Sequence, residues 1–315
     1  MNNTHMKKFN KIAFSTGGIK GISFIGCIKA LEEKNLIENI DFFAGSSIGS
    51  LIALLLSIGY KSDEMFTTLK KVNLESLREI RITSILDTFG ISDTNRIGTL
   101  IKFCLMEKGL SPNLTFKQLY NIKNNTLIIT GTNVNSRESH YFNYIDTPDM
   151  QITTALKISM CIPFFFNAVI YNENLYVDGG LMDPLPSVYL EKFNKKENLE
   201  NDKANDMDMD QANDNDNDND NDNDNVIAIN INNSIIKSCS KIPDLETFAI
   251  SITACILQKM NSLMKNVNNT PKISQLNLDT ENFSAIDFNI KENDIIKLVD
   301  LGYDQTRKWF DNFSE

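Results

Sequence analysis

Apolar positions alternate along the chain between short continuous runs and longer stretches of helical period. Lys11 to Ser15 (KIAFS) is a short apolar run that ends in STGGIKG, and ISFIGCIKALEEKN follows with apolar residues at helical spacing. That pattern predicts a strand, a glycine loop and a helix. Ile40 to Ala44 (IDFFA) begins a second such unit, closed by GSSIG and followed by SLIALLLSIGY. The last segment is apolar on every side and is predicted as a buried helix. Helical periodicity continues through Ser62 to Leu77 and Thr94 to Lys108, and SPNLTFKQLY carries the start signals of another short helix. Strands are predicted at Thr126 to Val134, Ser139 to Tyr144, Ala168 to Tyr171 and Leu175 to Val177. Later come a strand in VIAINI and helices over Asp244 to Met264 and Lys291 to Phe310. Strands alternating with helices predict an α/β fold, a three-layer α/β/α arrangement around a mostly parallel central sheet.

The pattern fails between Lys195 and Asn225, where the chain is reduced almost entirely to Asn, Asp, Lys and Glu. With so little to bury, this tract is expected to be a disordered insertion in a surface loop. Its Asp at every second position imitates the first ligands of a calcium loop, but the central Gly and terminal Glu are missing, so a solvated linker is the better reading. The tract also explains the charge. The formal net charge is −10, yet residues 201–225 hold ten Asp against one Lys, which leaves the rest of the chain at about −1. A near-neutral body without a basic stripe argues against nucleic acid and against purely coulombic attraction to acidic headgroups.

The five cysteines (Cys27, Cys104, Cys161, Cys239, Cys255) are scattered and never form a CxxC pair. They read as reduced thiols of an intracellular protein, not as a disulfide frame or zinc site. The N-terminus lacks the apolar run of a signal peptide, and the best apolar run, Leu51 to Tyr60, is far short of a membrane span. Only His5 and His140 are present, which excludes chemistry that needs a histidine cluster.

Three motifs carry candidate chemistry, each at the end of a predicted strand. Gly45-Ser46-Ser47-Ile48-Gly49 is a GxSxG between strand and helix. A serine at such a turn has its hydroxyl lifted above the sheet, glycines remove clashing side chains, and the helix N-terminus favours a developing oxyanion. Thr16-Gly17-Gly18-Ile19-Lys20-Gly21 is a second glycine turn, able to present backbone N–H groups to a phosphate or an oxyanion. It lacks the Gly-Lys-Ser/Thr ending of a P-loop and the GxGxxG and strand-end acid of a dinucleotide site. Asp178-Gly179-Gly180 places an acid at a strand's C-terminal end, the edge where catalytic groups gather in open α/β sheets. An ordinary Gly/Ser turn and an ordinary Asp-Gly turn are the bland alternatives for the first and last of these.

Taken together and in this order, TGGIKG, GSSIG and DGG resemble the patatin-like phospholipase family of Ser-Asp dyad lipid acyl hydrolases. ALKISMCIPFFF (Ala155 to Phe166), LTFKQLY (Leu114 to Tyr120) and DGGLMDPLP (Asp178 to Pro186) add to the resemblance. It runs from about Lys11 to Leu190 and more weakly from Val226 to Trp309. It implies Ser47 as nucleophile, Asp178 as general base, and the N–H groups of Gly17 and Gly18 as oxyanion hole. Lys20 (where the family more often has Arg), Gly21, Gly45, Gly49, Gly179 and Gly180 are the implied supporting loops.

Two departures from the family pattern are Thr16 in place of a third glycine and Pro184 in place of an asparagine. The implied organisation is a flexible N-terminal tail over 1–10, a catalytic core over 11–194, the insertion over 195–225 and the rest of the same domain over 226–315. The implied activity is hydrolysis of phospholipid or lysophospholipid esters through an acyl-enzyme, with no metal or other cofactor. A cytoplasmic protein in peripheral contact with membrane is expected, with Ile162, Phe164 and Phe165 as candidate contacts; the sequence leaves protein partners open. A catalytically silent lipid-binding member and an acyltransferase remain open. His140 is the competing base, but it precedes the acid, contrary to the Ser, Asp, His order of α/β-hydrolases.

Overall fold

The computed structural model describes residues 8–77, 85–193, 225–232, 242, 245–264, 270–280, 283–285 and 287–311. The Asn/Asp tract, apart from Asn225, lies outside the described residues, as do His5, Cys239 and positions 1–7 of the expected tail. At the end of that tail Phe9 is buried at 6% exposure, and the Asn10 carbonyl accepts the Asp41 N–H.

Ten strands are described: β1 (Lys11–Phe14), β2 (Phe42–Ser46), β3 (Gly90–Ser92), β4 (Thr126–Asn133), β5 (Glu138–Phe142), β6 (Phe164–Phe166), β7 (Val169–Tyr171), β8 (Asn174–Asp178), β9 (Val226–Asn232) and β10 (Ile273–Asp279). Eight of them form one sheet in the order β10-β9-β1-β2-β4-β8-β7, with β5 beside β4, while β3 and β6 pair separately. The five strands from β10 to β4 are mutually parallel; β5 and β8 run antiparallel to β4.

The central strands are buried on both faces, and their side chains divide between two cores. Ile12, Phe14, Phe43, Leu127, Ile129, Ile227 and Ile229 enter the larger core, which also takes in α1 (Ser23–Glu33), α2 (Ile48–Ser57), α5 (Asn95–Glu107) and α7 (Ile152–Ser159). Ala13, Ala44, Ile128, Val226 and Ala228 face the other way, onto Leu185, Leu190 and Phe193. The period-two alternation thus survives inside strands that read as continuous apolar runs. Helices α3 (Ser62–Lys71), α4 (Ile85–Thr88), α6 (Phe116–Lys123), α8 (Leu245–Met264) and α9 (Glu292–Asp311) complete the described α-helices, and α6 starts at the Thr115/Gln118 capping box its sequence announces.

Strand β4 is the template that brings distant motifs together. Its residues Thr126 to Thr130 pair with β2, and Gly131 to Asn133 pair with β8. Ile129, Thr130 and Gly131 also pair with β5, so β2 and β8 occupy the same edge of β4, one after the other. Ser46 is opposite Thr130 and Asp178 opposite Gly131. The serine turn and the acid, more than a hundred residues apart in sequence, therefore end at one point.

The C-terminal segment holds the first glycine loop in place. β9 pairs with β1, and α9 packs on α1 so closely that a Cβ at Gly26 would meet the Val299 carbonyl oxygen at 1.8 Å, and one at Gly302 the Ser23 oxygen at 1.9 Å. The sequence pattern does not announce β10, because its Ser274, Gln275 and Asn277 give it the polar look of an edge strand; among the described residues it pairs only with β9.

Candidate active site

Ser47 occupies the position between β2 and α2 with φ 55° and ψ −126°, a left-handed conformation that a serine holds only when its surroundings impose it. The two glycines of the motif are what let the turn close. A Cβ at Gly45 would lie 2.3 Å from the Gly49 backbone, and one at Gly49 would lie 2.4 Å from the Phe14 carbonyl oxygen. The Ser47 N–H donates to Ser159 Oγ at 3.0 Å, and Ser50 Oγ donates back to the Ser47 carbonyl. The turn is thereby fixed from both sides, with the hydroxyl at the N-terminus of α2.

Ser47 Oγ donates to Asp178 Oδ2 at 2.7 Å. The carboxylate's other oxygen, Oδ1, accepts the Gly180 N–H at 2.8 Å, the Asp178 N–H donates to the Cys161 carbonyl, and Thr132 Oγ1 donates to the Asp178 carbonyl. Asp178 is 3% exposed. Burial pushes its carboxyl up to about 7, against the smaller opposing pull of the hydrogen bonds from Ser47 and Gly180. A carboxylate in this state can take a proton near neutral pH, as a general base must. A Cβ at Gly179 would lie 2.3 Å from the Thr130 carbonyl oxygen, which leaves no room for a side chain, and one at Gly180 would lie 3.1 Å from both Asp178 Oδ1 and the Thr16 side chain, a tight contact against the acid itself.

Gly17 and Gly18 stand at the N-terminal end of a 3-10 helix over Gly18–Ile22, where N–H groups lack intrahelical partners. Gly18 has φ +56°, and its α-carbon is covered by the Ala285 carbonyl, which accepts the Ile19 N–H at 2.8 Å. Gly21 lies against Ile48 at the start of α2, which brings the two loops together. Lys20 is almost wholly buried; desolvation lowers its pKa, with Asp279 pulling the other way. Pro184 does not leave the loop untied. Its carbonyl accepts the Thr16 N–H at 2.9 Å, so the backbone supplies a link between the acid's loop and the glycine loop.

Two residues of this arrangement were missed as functional candidates. Ser159 lies inside the ALKISMCIPFFF segment and holds the Ser47 turn. Asp183, in DGGLMDPLP, accepts from Tyr141 Oη at 2.8 Å and from the Leu185 N–H at 3.2 Å, and fixes the chain around Pro184. Only spacing to the neighbouring motifs signals either of them. His140 is engaged elsewhere, with Nδ1 3.0 Å from Tyr176 Oη. His140 and Asp178 are register partners of Gly131 on opposite sides, which places their backbones about 10 Å apart at ordinary strand spacing.

From Ser47 an apolar cavity of about 140 Å³ runs along one stripe of α2 formed by Ile48, Leu51, Ile52 and Leu55. Ser47 and Thr68 supply the only hydroxyls and no charged side chain lines it, among the described residues. The three expected membrane contacts separate. Phe165 is buried at 1% and stacks on Phe288, Ile162 lines the cavity, and only Phe164, at 48%, is exposed. Phe165 is therefore a core residue, because its position on β6 points inward. Among the described residues no group of three or more His, Cys, Asp or Glu is placed to hold a metal ion.

Comparison with known proteins gives a concordant result. A family model described as patatin-like phospholipase matches residues 12–190. A probable lipid hydrolase, 463L, of Invertebrate iridescent virus 6 is 32% identical over 195 residues, which are 61% of this chain and 67% of that protein. Patatin-like phospholipase domain-containing protein 4 of Homo sapiens is 27% identical over 185 residues, 58% of this chain and 68% of that protein. The crystal structure of VipD from Legionella pneumophila superposes with a TM-score of 0.56 at 15% identity, covering 97% of this chain and 67% of that one.

Proposed function

The chain belongs to the patatin-like phospholipase family, and from that premise we propose that it is a serine lipid acyl hydrolase. It cleaves carboxylic ester bonds of phospholipids or lysophospholipids through a Ser47–Asp178 dyad, in peripheral contact with membrane. The observation that carries this reading is the 2.7 Å hydrogen bond from a strained serine to a buried carboxylate whose pKa lies near 7. The name of the viral relative, a probable lipid hydrolase, supports the substrate class. The apolar cavity supports it too, since it offers an acyl chain a desolvated bed about 10 Å long from Ile48 to Leu55.

In this reading Asp178 takes the Ser47 hydroxyl proton as Oγ attacks the ester carbonyl carbon. The oxyanion that forms is held by the N–H groups of Gly17 and Gly18 and by the N-terminus of α2. Collapse of the tetrahedral intermediate breaks the bond to the leaving alcohol, which receives the proton from Asp178. Water then attacks the acyl-Ser47 ester with Asp178 again as base, and the free fatty acid leaves with Ser47 restored.

Purified chain is expected to hydrolyse a chromogenic short-chain ester and to release fatty acid from phosphatidylcholine or lysophosphatidylcholine. Ser47→Ala is expected to lose both by roughly a thousandfold or more. An inactive wild-type chain, or a Ser47→Ala variant that matches it, contradicts the proposal. A new ester formed when an alcohol acceptor is supplied identifies acyl transfer instead.

A further inference from the structure

A helix that crosses over between two parallel strands usually turns its apolar face onto the sheet. Helix α8 links β9 to β10, yet among the described residues it packs chiefly on β6 and on the Gly179–Leu181 turn beside Asp178. It stands over the edge where the candidate active site opens. Its twenty residues include one acidic and one basic side chain. Phe248, Ile252 and Ile256 follow one another at intervals of four along one helical stripe, and Leu263 continues it seven residues on; all four are between 39% and 51% exposed. An amphipathic surface helix carries its charged side outward; α8 shows these four apolar side chains there, with Lys259 as the one charged side chain exposed beside them among the described residues.

Strand β6, on which α8 rests, and its pairing partner β3 extend this surface. Phe164 at the start of β6 is 48% exposed, and Phe89, immediately before the partner strand β3, is 55% exposed. Both have positive φ, 65° and 60°. Bulky residues adopt that conformation only where the surrounding structure imposes it, so two aromatic rings are held outside by strained backbone. The surface is continuous with the candidate active site: Ile162 and Phe166, on either side of Phe164, line the Ser47 cavity.

We propose that the stripe Phe248, Ile252, Ile256 and Leu263, together with Phe164 and Phe89, is the face on which the protein lies on a lipid bilayer. Helix α8 sits along the interface and the Ser47 cavity opens toward the acyl chains. A bilayer is the occupant because the patch is almost uncharged and continuous with a cavity lined by apolar groups. The inference rests on the lipid-hydrolase reading for its purpose. Outside the Asn/Asp tract the chain carries a net charge of only about −1, so binding comes from apolar insertion and needs neither acidic lipid nor low salt.

The test reads binding without turnover, on full-length Ser47→Ala chain co-sedimented with phosphatidylcholine vesicles. The expected result is binding that is equal at about 50 and about 500 mM salt. It should fall about tenfold or more when Ile252→Glu and Ile256→Glu are added, with helical content by circular dichroism unchanged. Ile122→Glu, at a 57% exposed isoleucine of α6, should leave it intact. Binding that survives the double substitution, disappears at high salt or is absent in the parent overturns the proposal. So does a dimer that the double substitution dissolves while the parent ignores vesicles, which would assign the face to a second copy. Ester hydrolysis by the chain with native Ser47 is measured in parallel. Vesicle binding without hydrolysis refutes the hydrolase reading and leaves the docking face standing; hydrolysis without binding does the reverse.

Discussion

Asp178→Asn is expected to lower ester turnover by several orders of magnitude while His140→Ala keeps most of it. The amide fills the same space and can still accept the Gly180 N–H, but it cannot take the Ser47 proton. His140 is tied to Tyr176 and stands one strand beyond β4 from the acid. Because Asp178 must be ionised to act as base and its carboxyl is raised to about 7, wild-type kcat/KM should climb with pH through about 7 and then level off. The same shift acts on stability. Between the ordinary carboxyl value of 3.8 and about 7, the folded chain holds a proton that the unfolded chain has released, so stability falls as pH rises across that window. Above it, the ionised and buried Asp178 costs on the order of a few kcal/mol. Asp178→Asn should thus melt higher than wild type at pH 9 and close to it at pH 4, as thermal midpoints at the two pH values would show. An active, folded Asp178→Asn beside a dead, folded His140→Ala would replace the dyad with a histidine base.

Gly18→Ala is expected to remove activity by about a hundredfold or more, the scale of losing one oxyanion donor, and to destabilise the fold as well. The added Cβ would stand 2.0 Å from the Ala285 carbonyl oxygen at a residue with φ +56°, so the loop and the segment that clamps it must both shift. Gly109→Ala separates the two causes. Gly109 has φ +70° with nothing within 4 Å of its Cβ position, so this variant carries the conformational strain alone. It should lose roughly 1 kcal/mol of stability and no activity. Equal losses in the two variants would show that the Ala285 contact does not matter.

The sequence shows the parts of the site more clearly than their assembly. Strain at Ser47 and the acid at a strand end are legible because GxSxG and DGG put glycines where backbones must approach. What brings them together is β4, whose edge is shared between β2 and β8, and no local pattern reports which edge two strands share. Helix α2 reads as buried because it is apolar all round, and that is true of all but its first residue. Its stripe from Ile48 to Leu55 nevertheless lines a cavity, since an apolar side chain looks the same beside a void and inside a core. IPFFF shows the opposite ambiguity: of three phenylalanines in a row Phe164, with φ 65°, is outside while Phe165 and Phe166 are buried. The C-terminal clamp on the glycine loop was illegible for another reason. Ala285 acts through its carbonyl, which every residue has.

The most direct measurement is intact-protein and peptide mass spectrometry after reaction with a fluorophosphonate, which phosphonylates an activated serine hydroxyl. The dyad predicts one adduct, on Ser47, that forms slowly in Asp178→Asn and not at all in Ser47→Ala. An adduct on another serine, or labelling of Ser47 at the same rate without Asp178, would contradict it.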